Sequence, residues 1–430
     1  MKASNMTTSR RTFLQSSTAA TLAAALPLSR VAYAQTSDLL RVGLVGCGGR
    51  GTGAAGQALN ADSNCKLVAM GDAFGDRLEG CLKGLKENKN FADKIDVPEA
   101  MRFTGFDAYK KVTDAVDVVL LATPPHFRPM HLKYAIEQDR HVFCEKPVAV
   151  DGPGVRDVLK TCELAKKKKL SVVSGLCLRY NNAFNAAIKR LHDGGVGDIH
   201  TLLANDYRGP IWVKPRTKEQ TDMEYQMRNW YYFTWLSGDF NVEQHVHMLD
   251  VASWVMKDEY PVKAIGTGGR IVRNTPEYGN IYDHFAITYE YANGSRLFAT
   301  CRQIRGCSND IGVYVTGTKG SGQFSSNTSR LGFDFDGKPW KYEGPTNNHY
   351  QTEHDELFAA IRAGKPINNG DYMSKSTLLA IMGRMAAYTG REVMWDKAMN
   401  STEDLTPPHY DWKKPLAEPE VARPGTTKLI

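Results

Sequence analysis

The run Gly46-Cys47-Gly48-Gly49-Arg50-Gly51 has the G-x-G-x-x-G spacing of a turn that lays bare backbone against a pyrophosphate. Gly46 permits the tight turn, and Gly48 lets the backbone approach the anion. Gly51 lets the next helix pack closely, with its N-terminus facing the negative charge, and Gly49 and Arg50 complete the loop. Asp72 follows 21 residues after Gly51, the spacing of an acid that binds ribose hydroxyls. Its charge repels a 2′-phosphate, so the expected cofactor is NAD, with Arg77 as the residue able to relax that preference. Farther on, Glu243, His247 and Asp250 are spaced by four and then three, which places them on one face of a helix. A carboxylate beside an imidazole fixes its orientation and raises its basicity. Lys146 follows the strand-like run 140–144, so its ammonium falls at the carboxyl end of a strand, where open α/β sheets bind ligands and where it would stabilise an alkoxide.

These residues need elements to hold them. From residue 40 to about 174 strand-like runs (40–45, 66–71, 116–122, 140–144, 170–174) alternate with helical ones (from 52 to 60, 127–138, 152–168), the pattern of an α/β Rossmann domain with a doubly wound parallel sheet. The unbroken apolar run 116–122 fits a strand buried on both faces. Past residue 181 longer β-like segments take over, at 262–272, 283–291, 296–302 and 311–316. Asn293-Gly294 is a hairpin signal between two of them. Helical patterns return at 353–363 and 374–389. This second region reads as an α+β domain with a large, open, mainly antiparallel sheet. The expected division is a leader at 1–34, a NAD-binding domain at 39–174, a substrate and oligomerisation domain at 175–400, and an extended surface tail at 401–430.

The leader carries Thr8-Ser9-Arg10-Arg11-Thr12-Phe13-Leu14, an Ala/Leu-rich run to Leu28, and Ala32-Tyr33-Ala34 as a small-x-small cleavage site. It reads as a twin-arginine export signal, and its apolar run is too short and interrupted for a membrane span. Of 430 residues, removal of 34 leaves 396, enough for two domains. The leader holds four cations and no acid, so its removal takes the net charge from +7 to +3. No basic stripe remains to argue for nucleic acid. Lys166-Lys167-Lys168-Lys169 is expected to sit at a helix C-terminus. The eight cysteines are irregularly spaced, and buried free thiols are the preferred reading. His245 and His247 are two apart, on different faces of a helix, and no Cys cluster or His-Glu-x-x-His order accompanies them, so no metal site is expected.

The segment Val118-Val119-Leu120-Leu121-Ala122-Thr123-Pro124-Pro125-His126, followed by Cys144-Glu145-Lys146-Pro147, resembles the Gfo/Idh/MocA family, and the likeness extends in motif order over the whole mature chain. It implies that Lys146 sits beside nicotinamide and substrate, with Glu145 and a usually cis Pro147 flanking it. It also implies that Thr123, Pro124 and His126 line the ribose and nicotinamide side of the cofactor. Arg179-Tyr180-Asn181 resembles the family's Arg-Tyr-Asn run near the start of the second domain. His247 maps onto the catalytic histidine, with Glu243 in place of the usual Asp and His245 where a small residue is common. Glu243 therefore becomes a third catalytic candidate, and His245 a second polar contact for substrate. Asn229, Trp230 and Tyr231, in an aromatic stretch before this helix, serve either core packing or the faces of a sugar ring. Arg179, Tyr180 and His247 join them as expected substrate contacts. Tyr207-Arg208 and Arg302-Gln303 are weaker candidates. Family members usually pair through the open face of the second-domain sheet, so a homo-oligomer is expected.

Three functions remain open. The first is an NAD-dependent oxidoreductase acting on CH–OH groups of a sugar, polyol or glycoside, with tightly bound NAD. The second is a glycoside hydrolase that oxidises, eliminates, hydrates and re-reduces its substrate on one cofactor. The third is an inactive sugar-binding protein. An exported enzyme cannot readily exchange reduced cofactor with the cytoplasm, which favours a closed redox cycle.

Overall fold

The computed structural model describes residues 38–430. The leader read at residues 1–34 lies outside the described residues. From Leu40 the chain builds β1 (Leu40–Val45), α1 (Gly49–Ala61), β2 (Cys65–Asp72), α2 (Gly75–Glu87), β3 (Arg102–Thr104), α3 (Ala108–Ala115) and β4 (Val118–Leu121). It continues with α4 (Arg128–Glu137), β5 (His141–Cys144), α5 (Gly152–Lys167) and β6 (Val172–Ser174). The six strands are all parallel and lie in the order β3-β2-β1-β4-β5-β6. The order reverses between β1 and β4, which opens a crevice at their carboxyl ends. All four residues of β4 are buried, as a strand covered by helices on both faces must be. Lys168 puts its Nζ 2.9 and 3.0 Å from the carbonyls of Ile136 and Glu137, so the basic run caps the end of α4 as well as following α5.

The second sheet has nine strands. They are β7 (Ile199–Arg208), β8 (Lys263–Gly269), β9 (His284–Glu290), β10 (Arg296–Gln303), β11 (Asp310–Gly317), β12 (Gly320–Ser325), β13 (Gly332–Phe335), β14 (Lys338–Trp340) and β15 (Val393–Met394). The sheet is antiparallel except where β10 runs parallel to β7. Asn293-Gly294 makes the expected tight turn, with Gly294 at φ 85°. The strand expected at 262–272 ends at Gly269. There one carboxylate oxygen of Asp283 accepts the N–H groups of Ile271, Val272 and Arg273 at 2.6, 2.7 and 3.1 Å and turns the chain out of the sheet.

The helices of this half are α6 (Asn182–His192), α7 (Asp222–Arg228), α8 (Thr234–Ser237), α9 (Phe240–Glu243), α10 (Val246–Val255), α11 (His349–Arg362), α12 (Gly370–Thr389) and α13 (Trp395–Met399). The long α12 is buried almost throughout and accepts the Tyr289 hydroxyl at the Leu379 carbonyl, 2.9 Å. In contrast, α11 returns to the first sheet: Gln351 reaches the Gln57 carbonyl at 2.9 Å and Arg362 pairs with Asp62 at 2.7 Å. The chain after residue 400 has no helix or strand, and it is docked. Gln226 holds the Leu416 carbonyl at 3.2 Å, Asn280 holds that of Glu420 at 3.3 Å, and Tyr282 holds that of Ala422 at 2.9 Å.

All eight thiols are free, seven of them buried and Cys307 exposed. Among the described residues no helix is long and apolar enough to cross a membrane, and no group of His, Cys, Asp and Glu is arranged to hold a metal ion.

Candidate active site and cofactor cleft

At the end of β1, Gly46 takes φ +98°, and a Cβ there would lie 2.6 Å from the Ala122 carbonyl carbon. A Cβ on Gly51 would lie 1.9 Å from the Gly46 oxygen, so only glycine lets α1 start so close to the strand. Over Gly48 and Gly49 the space is open. These glycines and Arg50 line a cleft of about 570 Å³ that continues past Asp72, Arg77, Thr123 and Pro124. Asp72 accepts the N–H groups of Cys47 at 2.7 Å and Phe74 at 2.9 Å, which aims its carboxylate across the loop. Burial raises its pKa, and those two amides pull it back. Unfilled space above bare backbone, a helix N-terminus and a fixed acid at the ribose distance together fit a dinucleotide with an unphosphorylated 2′-hydroxyl.

Arg128, which sequence reasoning missed, sets the next wall. Its fully buried guanidinium holds the carbonyls of Leu121 at 2.8 Å and Thr123 at 2.6 Å, fixing the Thr123-Pro124 turn. Only its place just after His126 marks it in the sequence. His126 itself turns away from the cleft. Its Nε2 meets the Tyr410 hydroxyl at 2.6 Å and its ring packs on Trp235, so the expected cofactor contact is replaced by a contact with the tail. Burial lowers its pKa to about 4.

Glu145 and Lys146 follow β5, and the Lys146–Pro147 peptide is cis. Arg50 bonds Glu145 through Nε and Glu353 through Nη2 at 2.9 Å, and its guanidinium lies 5.6 Å from the Phe143 ring and 5.1 Å from the Tyr350 ring. The arginine expected at the pyrophosphate thus also ties the glycine loop to the Glu145-Lys146-Pro147 turn and to α11. Glu353, fully buried, has its pKa raised well above the usual range by burial and by the nearby Glu145.

Lys146 Nζ donates to the Glu243 carbonyl at 2.5 Å and to Glu243 Oε1 at 2.9 Å. Burial raises the Glu243 pKa, against the pull of Lys146 and Arg208. Arg208, at the end of β7, is gripped by both carboxylate oxygens of Asp206. Partly buried His247 senses Lys146, Arg208, His349 and Arg50. Burial first, and then the Lys146 and Arg208 charges, hold its pKa well below the usual value, which reverses the expectation that a carboxylate would raise it. Glu243 is committed to Lys146 instead. The result is an imidazole that resists protonation within electrostatic reach of an ammonium, a proton acceptor near a stabiliser of negative charge. His349 gave no sequence signal, since it merely follows the Asn348 cap of α11.

The expected single helix through Glu243, His247 and Asp250 is broken. It is interrupted between α9 and α10 because His245 turns inward, its Nδ1 on Asn241 and Nε2 on the Ala204 carbonyl, each at 3.1 Å. His245 is a satisfied core residue rather than a substrate contact, with its pKa lowered to about 4 by burial. Asp250 faces elsewhere, accepting from Arg179 at 2.9 Å and Ser376 at 2.8 Å. That pair, with Asp258 at 2.6 Å, consumes Arg179. Tyr180 bonds Asn369 at 2.8 Å. Asn229 holds the Lys214 amide and the Glu277 carbonyl, and the buried Tyr231 hydroxyl accepts from Gln303 at 2.7 Å. These four residues, expected at the substrate, support the framework instead, because each finds its partners inside it. Trp230 does line the cleft, joined by Trp212, Lys214 and Arg228.

Residues 40–176 match the family described as "Oxidoreductase family, NAD-binding Rossmann fold", and residues 188–370 match "Oxidoreductase family, C-terminal alpha/beta domain". An inositol 2-dehydrogenase of Rhizobium meliloti is 23% identical over 282 residues, covering 66% of this chain and 74% of that protein. A glycosyl hydrolase family 109 protein of Streptomyces coelicolor is 31% identical over 164 residues, 37% of this chain and 32% of that protein. Among solved structures, aldose-aldose oxidoreductase from Caulobacter crescentus superimposes with a TM-score of 0.64 at 20% identity, covering 83% of this chain and 99% of that one.

Proposed function

This chain belongs to the Gfo/Idh/MocA family of NAD-binding oxidoreductases, and from that membership we infer that it oxidises a CH–OH group of a sugar, polyol or glycoside at the Lys146 site. The observation that carries the assignment is the nearly buried pairing of the Lys146 ammonium with Glu243 at 2.9 Å, with His247 within electrostatic reach of Lys146. When bound, NAD supplies the hydride acceptor. The residues do the rest. Asp72 and the glycine loop hold the dinucleotide, while Thr123, Pro124 and Glu145 shape its inner end. Lys146 stabilises the substrate oxygen as its proton leaves, and His247 takes that proton. The named chemistry of the inositol dehydrogenase relative supports a polyhydroxylated substrate.

Glu243 favours a second reading, redox-neutral glycoside cleavage. A buried carboxyl with a raised pKa suits proton transfer during elimination and hydration, and a relative named as a glycosyl hydrolase agrees with it. The two readings separate when purified protein is given p-nitrophenyl glycosides in deuterated water without added cofactor. Phenol release with deuterium entering beside the oxidised carbon supports cleavage. Stoichiometric reduced cofactor with no phenol supports plain dehydrogenation.

Export rests on the Arg10-Arg11 leader and its Ala32-Tyr33-Ala34 site. Arg10→Lys with Arg11→Lys should leave the protein unexported in a twin-arginine-competent host. Pairing with a second copy is supported by an exposed row across the second sheet. Leu203 lies opposite Phe298, Phe298 opposite Thr288, and Thr288 opposite Ile265, with Leu203, Phe298 and Ile265 exposed at 38%, 37% and 55%. Sedimentation of the Phe298→Asp variant as a smaller species than the wild type tests it.

A further inference from the structure

We propose that the segment 212–230 and the C-terminal strap 405–417 form a clasp over the adenosine half of the cleft, so that NAD stays with the protein from one turnover to the next. The proposal rests on the reading of the cleft as an NAD site, and it assigns cofactor-retaining roles to residues outside the glycine loop. Arg228 stands on the same cleft as Asp72 and reaches across to Phe74 and the first turn of α2, which follow it. Its Nη1 and Nη2 each lie 3.0 Å from the Asp76 carboxylate, its Nε holds Glu224 at 2.8 Å, and its guanidinium covers Phe74 at 4.0 Å. One side chain from the second half of the chain therefore bolts the roof to the start of α2 beside the expected ribose site.

The strap locks that bolt from outside. Trp412 stacks on Phe106 with centroids 4.4 Å apart and tilts against Phe74 at 5.4 Å. Phe74 thus sits between Arg228 and Trp412, and Phe106 lines the cleft. The strap is fixed at several points: the Leu405 amide to Asp151 at 3.0 Å, Tyr410 to His126 at 2.6 Å, and the Leu416 amide to Asp222 at 3.1 Å. Leu416 is buried in a small apolar core with Met223, Phe233 and Trp235, so strap and roof share one cluster. For an adenosine moiety to leave past the roof, the Arg228–Asp76 pair must open and Trp412 must come off its two rings. Arg228 is a wall of the site, and Trp412 is a positioning residue acting through Phe74 and Phe106. An exposed ion pair is worth little alone, and Asp76 is 62% exposed, but the Arg228 guanidinium is also stacked on Phe74, and the barrier falls on dissociation rather than on entry.

The test reads cofactor retention. Wild-type protein, purified without added nucleotide and desalted, should carry NAD that is released on heat denaturation. Arg228→Ala and Trp412→Ala, checked for fold by circular dichroism, should each raise the rate of NAD dissociation on the order of tenfold, equivalent to about 1.4 kcal/mol. Trp412→Phe should recover much of the loss. Loss of retention while the melting temperature of the nucleotide-free protein is unchanged separates clasping from general destabilisation. Wild-type protein that sheds NAD on desalting, or folded variants that release it at the wild-type rate, would overturn the proposal. If retention behaves as expected while no sugar or glycoside is turned over, the activity reading fails and the clasp stands.

Discussion

The Nζ of Lys146 and the carboxylate of Glu243 lie 2.9 Å apart, and the same ammonium holds the Glu243 carbonyl at 2.5 Å. The strand-end turn of the first sheet is thereby locked to the end of α9. Both side chains are nearly buried, 12% and 11% exposed, so each charge depends on the other for compensation. Lys146→Ala should lower kcat roughly 10²–10⁴-fold, the range for losing a positioned proton-handling or charge-stabilising group. Glu243→Gln keeps the shape and removes the charge. It should lower kcat less than Lys146→Ala does, and steady-state kinetics of both variants on one substrate checks the order.

His247 is neutral well below the usual histidine range because burial and the surrounding cations disfavour its protonated form. The acid limb of the kcat/KM profile should therefore lie below pH 6.5, and His247→Gln should abolish it along with most turnover. An acid limb at the ordinary histidine value in the wild type, persisting in that variant, would rule His247 out as the base.

Stability should fall on acidification for a related reason. His126 and His245 take up a proton near 4 when folded, against 6.5 for an ordinary imidazole. Between those values the unfolded chain binds more protons, so the stabilisation is complete above pH 6.5 and is lost as pH falls toward 4. It amounts to on the order of 3 kcal/mol for each ring. Melting temperature measured from pH 7.5 to 4 should drop through this window, and His245→Asn should flatten the drop.

Arg50 compensates two carboxylates, and of these Glu353 has its pKa raised by burial. Glu353→Gln should cost little. Arg50→Ala leaves Glu145 and Glu353 facing each other without a cation and should destabilise the fold by about 3 kcal/mol or more. Denaturant unfolding of the two variants should rank them in that order, and NAD affinity should follow, since Arg50 belongs to the glycine loop.

Asp72 lines the cleft while each of its carboxylate oxygens accepts one backbone amide, from Cys47 and Phe74. Asp72→Ser should narrow the preference for NAD over NADP, with Arg77 at hand for the extra phosphate. The ratio of dissociation constants measured by calorimetry tests this.

What was legible in the sequence was local. Gly46, Gly51 and Asp72 are dictated by a turn, a close approach and a fixed span, and all three stand where their spacing places them. The alternation of elements gave the parallel sheet for the same reason, since burial on both faces shows in each strand's own composition. What was hidden depends on partners far along the chain. The inward turn of His245 is decided by the Ala204 carbonyl, and Arg179 is claimed by Asp250 and Asp258. The tail reads as a polar surface segment from its prolines and charges. Its role is carried by Tyr410, Trp412 and Leu416, whose contacts lie on Phe74, Phe106, His126 and Met223.

The most direct measurement is a single turnover with the cofactor already in place. Protein loaded with NAD is mixed with a panel of polyols, sugars and glycosides, and nicotinamide reduction is followed by absorbance in wild type and in Lys146→Ala at matched cofactor content. Reduction by at least one CH–OH substrate is expected in the wild type, and its loss in the variant. Reduction at the wild-type rate in Lys146→Ala would contradict the placement of the chemistry between Lys146, Glu243 and His247.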